Sequence, residues 1–178
     1  MDDKAEIFSH KWYTLFAKYL DLQFIMIVHL FISESKLSTP RLTNLIRLVC
    51  SYAGGIFFIY VGVLHFTDTA WFEPIVPPWL GFPTFWVILS GIFEIAVGFG
   101  LLISKTRQHA ALASALLLLA VYPANLYMWI YNVELGDGTT LTPLGHIFRL
   151  FFQIAGVLLS VWVYKSAQRR PLLQPEGE

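Results

Sequence analysis

Residues 83–103 read PTFWVILSGIFEIAVGFGLLI, a run of 21 residues whose only charge is Glu94. A helix of about 20 apolar residues spans the hydrocarbon core of a bilayer. Three further runs of that kind flank it, at 45–65, 110–131 and 144–164. An isolated strand cannot satisfy its backbone in lipid, and the short alternating segments of a membrane barrel are missing, so all four runs read as transmembrane helices. The predicted fold is therefore all-α: an integral membrane four-helix bundle, up-down-up-down, with an extra N-terminal amphipathic or membrane-surface helix.

The composition agrees. Of 178 residues, 56% are hydrophobic and only 13% charged, against roughly 45–50% and 25% in an average globular chain. Such a chain is too apolar to be disordered. Twelve Lys and Arg against twelve Asp and Glu leave no basic excess for a nucleic-acid partner. Cys50, the one cysteine, excludes an internal disulfide and a cysteine-rich zinc site.

Charge placement orients the bundle. Loop 66–82 carries Asp68 and Glu73, and loop 132–143 carries Glu134 and Asp137, with no Lys or Arg in either. Lys105 and Arg107 lie in the loop between them, and Lys165, Arg169 and Arg170 follow the last span. The positive-inside rule then predicts a multi-pass protein of the cell (inner) membrane with both termini cytoplasmic. Three regions follow: an N-terminal extension (1–40), a four-span domain (41–165) and a cytoplasmic tail (166–178). Within the extension, residues 12–32 fit a helix lying on the cytoplasmic membrane surface, or a fifth span that would put Lys18 or Asp21 in lipid. Ser38-Thr39-Pro40 reads as a cap opening the first span.

Helical spacing gives each span one small and polar face: Ser51, Gly55, Phe58, Gly62 and His65; Ser90, Gly91, Glu94 and Gly98; Ser114, Leu118, Tyr122 and Asn125; His146, Arg149, Gln153, Gly156 and Ser160. Such faces are predicted to point inward, where small residues let helix backbones approach. Between residues 50 and 164, Glu94 and Arg149 alone among the charges fall inside a span. Glu94, near the middle of its span, costs at least about 2.5–3.5 kcal/mol on insertion scales, and Arg149 lies about one turn and a half inside the outer boundary. Two arrangements meet that cost: a mutual Glu94–Arg149 ion pair that fixes register, or a polar pocket that binds a ligand or moves a proton. His65, Glu94, Asn125, His146 and Arg149 are the candidate ligand-binding residues. No catalytic residue, metal site or covalent cofactor motif stands out. The loop FTDTAWFEPIVPPWLGFP (66–83) has four prolines, which forbid a long helix. Its Trp and Phe residues predict a segment folded back onto the membrane surface, either as a lid over the outer mouth of the bundle or as an interfacial anchor only.

Gly62-Val63-Leu64-His65-Phe66, Ile75-Val76-Pro77-Pro78-Trp79-Leu80, the helix Ser90–Gly98 and Tyr122-Pro123-Ala124-Asn125 together resemble the DoxX-like membrane proteins over about 45–165. The resemblance implies four spans with short loops, and a polar site at His65, Glu94 and Asn125. Some members of that family are linked to redox complexes, including a thiosulfate:quinone oxidoreductase subunit, and related members are thought to assist membrane-protein assembly. The implied function is a membrane subunit or accessory protein of a quinone-linked redox system. Its cofactor would be a quinone, and its partners the lipid bilayer and a redox or other membrane protein that supplies the electron carrier. The alternatives are a non-catalytic binding or assembly factor whose polar faces join partner helices, and a small-molecule transporter. Whether the chain is an enzyme stays open at this point.

Overall fold

The computed structural model describes residues 40–168. The predicted surface helix and most of the C-terminal tail lie outside the described residues. Within them the chain forms α1 (Pro40–Thr67), a single turn α2 (Thr69–Phe72), α3 (Pro83–Leu102), α4 (Arg107–Tyr131) and α5 (Pro143–Gln168). Two 3₁₀ turns, Glu73–Ile75 and Pro78–Leu80, occupy the proline-rich loop. Pro40, Pro83 and Pro143 each open a long helix, where the missing N–H costs nothing.

All four long helices are long and apolar enough to cross a membrane, and the chain is a multi-pass, all-α membrane protein. Its surface is inverted relative to a water-soluble bundle. Phe57, Phe148, Phe151 and Phe152 are exposed, the last at 68% of its area, whereas Ser51, His65, Glu94, Ser114 and Gln153 are buried. An apolar exterior of that extent is matched by lipid, not water.

Two helix pairs build the bundle. α1 packs on α3 through glycines that face one another at matching steps of seven. A Cβ on Gly55 would lie 2.9 Å from the Gly98 carbonyl, and one on Gly62 would lie 2.9 Å from that of Gly91. Seven residues are close to two helical turns, so both contacts fall on one seam of an antiparallel pair. α4 packs on α5 in an antiparallel ladder: Ser114 donates to Ser160 (2.9 Å), Gly156 receives Leu118, and Arg149 donates to Asn125. α3 against α4 joins the two pairs.

The ends are tied differently. At the end bearing Lys105, Arg107 is buried and donates to the carbonyls of Leu101 and Leu102 at 2.9 and 3.0 Å. It thereby satisfies the C-terminus of α3, and its guanidinium lies 5.3 Å from the Tyr52 ring centroid. Arg47 donates to the Ser166 carbonyl of α5 at 3.2 Å. Arg107 is one of the charges that orient the bundle, and the structure gives both it and Arg47 a bond to a helix-end carbonyl. At the other end α4 stops on Asn132, whose positive φ of 47° turns its N–H back to the Met128 and Trp129 carbonyls.

That second end carries the lid. Ile75, Met128 and Leu135 form one buried cluster joining the proline-rich loop, α4 and the 132–142 loop. The Gly136 amide donates to the Trp71 carbonyl at 3.2 Å, and the Trp71 indole donates to Asp137 at 3.0 Å. The Thr139 hydroxyl and amide also donate to Asp137, and together with Trp71 they hold its carboxyl below the usual carboxylate value. The tie is therefore fully charged in neutral solution. Of the two placements the sequence allows, the loop takes the first and covers the mouth of the bundle.

Candidate functional site

Beneath the lid is a cavity of about 460 Å³, within the range of small-molecule sites. Its roof includes Phe72, Ile75, Pro77 and Leu80, and its walls come from the lid-side halves of all four long helices. Apolar side chains dominate. The exceptions form two polar groups on different helix pairs.

The first group bridges α1 and α3. His65 Nδ1 lies 3.0 Å from the Ser90 hydroxyl and 3.6 Å from Glu94 Oε2. Ser90 also donates to the Val87 carbonyl at 2.9 Å. With its hydrogen directed there, Ser90 accepts from His65, which assigns the ring proton to Nδ1. The Phe72 ring of the lid meets the imidazole edge to face at 4.2 Å between centroids. His65 and Glu94 are 8% and 7% exposed.

The glycine seam explains why these groups meet. Gly62 faces Gly91, so His65 lies one turn towards the lid and Glu94 one turn away from it. Their Cα atoms are thus about 9 Å apart in height. Side chains on a helix tilt towards its N-terminus. In an antiparallel pair, His65 therefore leans down and Glu94 leans up, and the two heads converge. A Cβ on Gly91 would lie 2.8 Å from that of His65, so the glycine also makes room for the imidazole.

The second group bridges α4 and α5. Arg149 donates to Asn125 Oδ1, and Gln153 donates to the Leu118 carbonyl. Pro123 lies inside α4 two residues before Asn125. It removes the bond to the Leu119 carbonyl and loosens the helix at the cavity wall.

Four of the five residues predicted as a site, His65, Glu94, Asn125 and Arg149, line this one cavity. His146 does not. It is 3% exposed and stacks on Trp129, with centroids 5.6 Å apart and planes 1° from parallel. The Glu94–Arg149 ion pair does not form either: Glu94 lies 3.6 Å from His65 with its Oε2 making no hydrogen bond, and Arg149 bonds Asn125. Packing α3 on α1 and α5 on α4 separates the two charges. Ser90 and Gln153 read in the sequence only as face residues, and both line the cavity.

Fold and site together define a membrane-embedded four-helix bundle with a lidded internal pocket. The family described as a domain of unknown function (DUF8561) matches residues 55–165, which is most of the bundle from the second half of α1 onward, and the chain belongs to that family. No curated protein and no solved structure matches the chain.

Proposed function

We propose that the protein binds an apolar small molecule bearing a polar head within the bilayer, and that it serves as a subunit or accessory protein of a quinone-linked redox system. The carrying observation is the cavity of about 460 Å³ in which His65, Glu94, Asn125 and Arg149 stand among apolar walls. A quinone ring suits such walls, and its carbonyl oxygens suit the donors of Arg149 and Asn125. His65 and Glu94 stand where a proton would be given to or taken from a bound oxygen. The likeness of the His65, Pro77-Pro78-Trp79 and Pro123-Ala124-Asn125 stretches to DoxX-like proteins supports the redox setting. The electron carrier would come from a partner. Under this reading the lid faces the non-cytoplasmic side, because the loops at that end have no Lys or Arg and the positive-inside rule places them outside.

The packing of the glycines weighs against the assembly-factor alternative. Gly55, Gly62, Gly91 and Gly98 are occupied in joining α1 to α3, so they are not free to receive partner helices.

Trp86 lines the cavity and reports on it. Titrating the purified protein with a short-chain quinone is expected to quench tryptophan fluorescence saturably, and Trp86→Phe should remove most of that signal. Quenching that rises without saturation, equally in both proteins, contradicts the proposal.

A further inference from the structure

We infer that the head of the molecule bound in this cavity is an anion, an ionised acidic oxygen seated on Arg149. The inference rests on the binding role proposed above and narrows its ligand.

A guanidinium stays protonated in proteins, and at membrane depth it is costly unless paired. Among the described residues, Arg149 bonds only the neutral Asn125 side chain and has no ion-pair partner. The carboxylate that the sequence offers it, Glu94, lies instead beside His65 in the lining of the same cavity. Arg149 therefore brings a positive charge to an apolar wall with no protein carboxylate within ion-pair distance among the described residues.

The geometry leaves that charge accessible to a ligand. One Arg149 nitrogen bonds Asn125 Oδ1, and a guanidinium has five N–H donors in a planar fork. Because Asn125 turns its oxygen to Arg149, its amide N–H groups are donors too. Both residues line the cavity. An acidic oxygen there would gain charge-assisted bonds from both and neutralise the arginine. A neutral carbonyl would leave the charge uncompensated. The apolar walls and roof fix the rest of the molecule as a ring or chain. The ligand class is thus an amphiphilic acid: a fatty carboxylate, or a ring compound with an ionised hydroxyl.

The test compares probes of nearly equal body. One is a 2-hydroxy-3-alkyl-1,4-naphthoquinone, ionised at pH 7.5, and the other is the same alkylnaphthoquinone without the hydroxyl. Binding is read by Trp86 quenching in lipid nanodiscs. The wild type is expected to bind the anionic probe at least tenfold more tightly, about 1.4 kcal/mol. Arg149→Lys should keep much of that preference. Arg149→Gln should reduce it to near unity while still binding the neutral probe, which shows that the variant is folded. Dodecanoate separates the two sources. Its displacement of the anionic probe identifies a fatty acid as sufficient, and its failure to do so identifies an acidic ring compound. Equal affinity of the wild type for both naphthoquinones overturns the inference and leaves the neutral-quinone reading standing. Absence of saturable binding by any of the probes overturns both.

Discussion

Gly98→Leu is expected to be among the most damaging single changes in the bundle, with a loss of about 3 kcal/mol, the top of the usual range for overpacking. Even a Cβ at this position would lie 2.7 Å from the Gly55 carbonyl and 2.7 Å from an Ile59 side-chain carbon. The carbonyl belongs to a helix backbone, so it cannot move aside without moving α1. Separating α1 from α3 also separates His65 from Glu94, so ligand binding should fall with stability. Gly54→Leu is the control. A Cβ there has its nearest neighbour at 3.8 Å, the tip of a leucine, and its effect should be well under half as large. Denaturation of both variants in mixed micelles, followed by far-ultraviolet circular dichroism, checks the ranking. Equal stabilities would show that the glycine seam is not what holds α1 to α3.

His65→Phe should cost about 3 kcal/mol, and His65→Phe/Glu94→Leu should recover most of that loss. Removing His65 alone takes away the imidazole that stands 3.6 Å from the buried Glu94 carboxyl, whose Oε2 has no hydrogen-bond partner among the described residues. Breaking a buried pair from one side costs about 3–5 kcal/mol, whereas replacing both members by apolar groups is often neutral or stabilising. The double variant should then be nearly as stable as the wild type and yet bind the naphthoquinone probes much more weakly. Such a result separates function from architecture, because binding is lost while the bundle keeps its stability. Additive losses in the two single variants and the double would contradict this account.

Much of the architecture was legible in residue pattern. The four spans follow from hydropathy, and their ends are marked by Pro40, Pro83 and Pro143. The small and polar faces were legible too: Ser51, Gly55, Phe58, Gly62 and His65 are all buried. The folding back of the proline-rich loop followed from its prolines and aromatics. Helical spacing states which side of a helix faces inward, but not which neighbour it meets or at what height. For that reason Glu94 was offered to Arg149, although α3 presents it to α1. A signal existed in the matching seven-residue steps of Gly55–Gly62 and Gly91–Gly98, which set an antiparallel α1–α3 register and bring His65 to Glu94. His146 gives no such signal, because its stacking on Trp129 depends on how the first turn of α5 meets the last turns of α4. The capping bonds of Arg47 and Arg107 are likewise set by where neighbouring helices end.

The central claim is that the chamber beneath the lid is a binding site with Arg149 as its anchor. An experimental structure of the full chain in lipid nanodiscs, at a resolution that shows side chains, tests it most directly. The account predicts density for an amphiphile under Phe72 and Ile75, its head within hydrogen-bond distance of Arg149, and Glu94 still beside His65. A chamber closed by collapsed side chains, with Arg149 turned onto Glu94 as a dry ion pair, would contradict it.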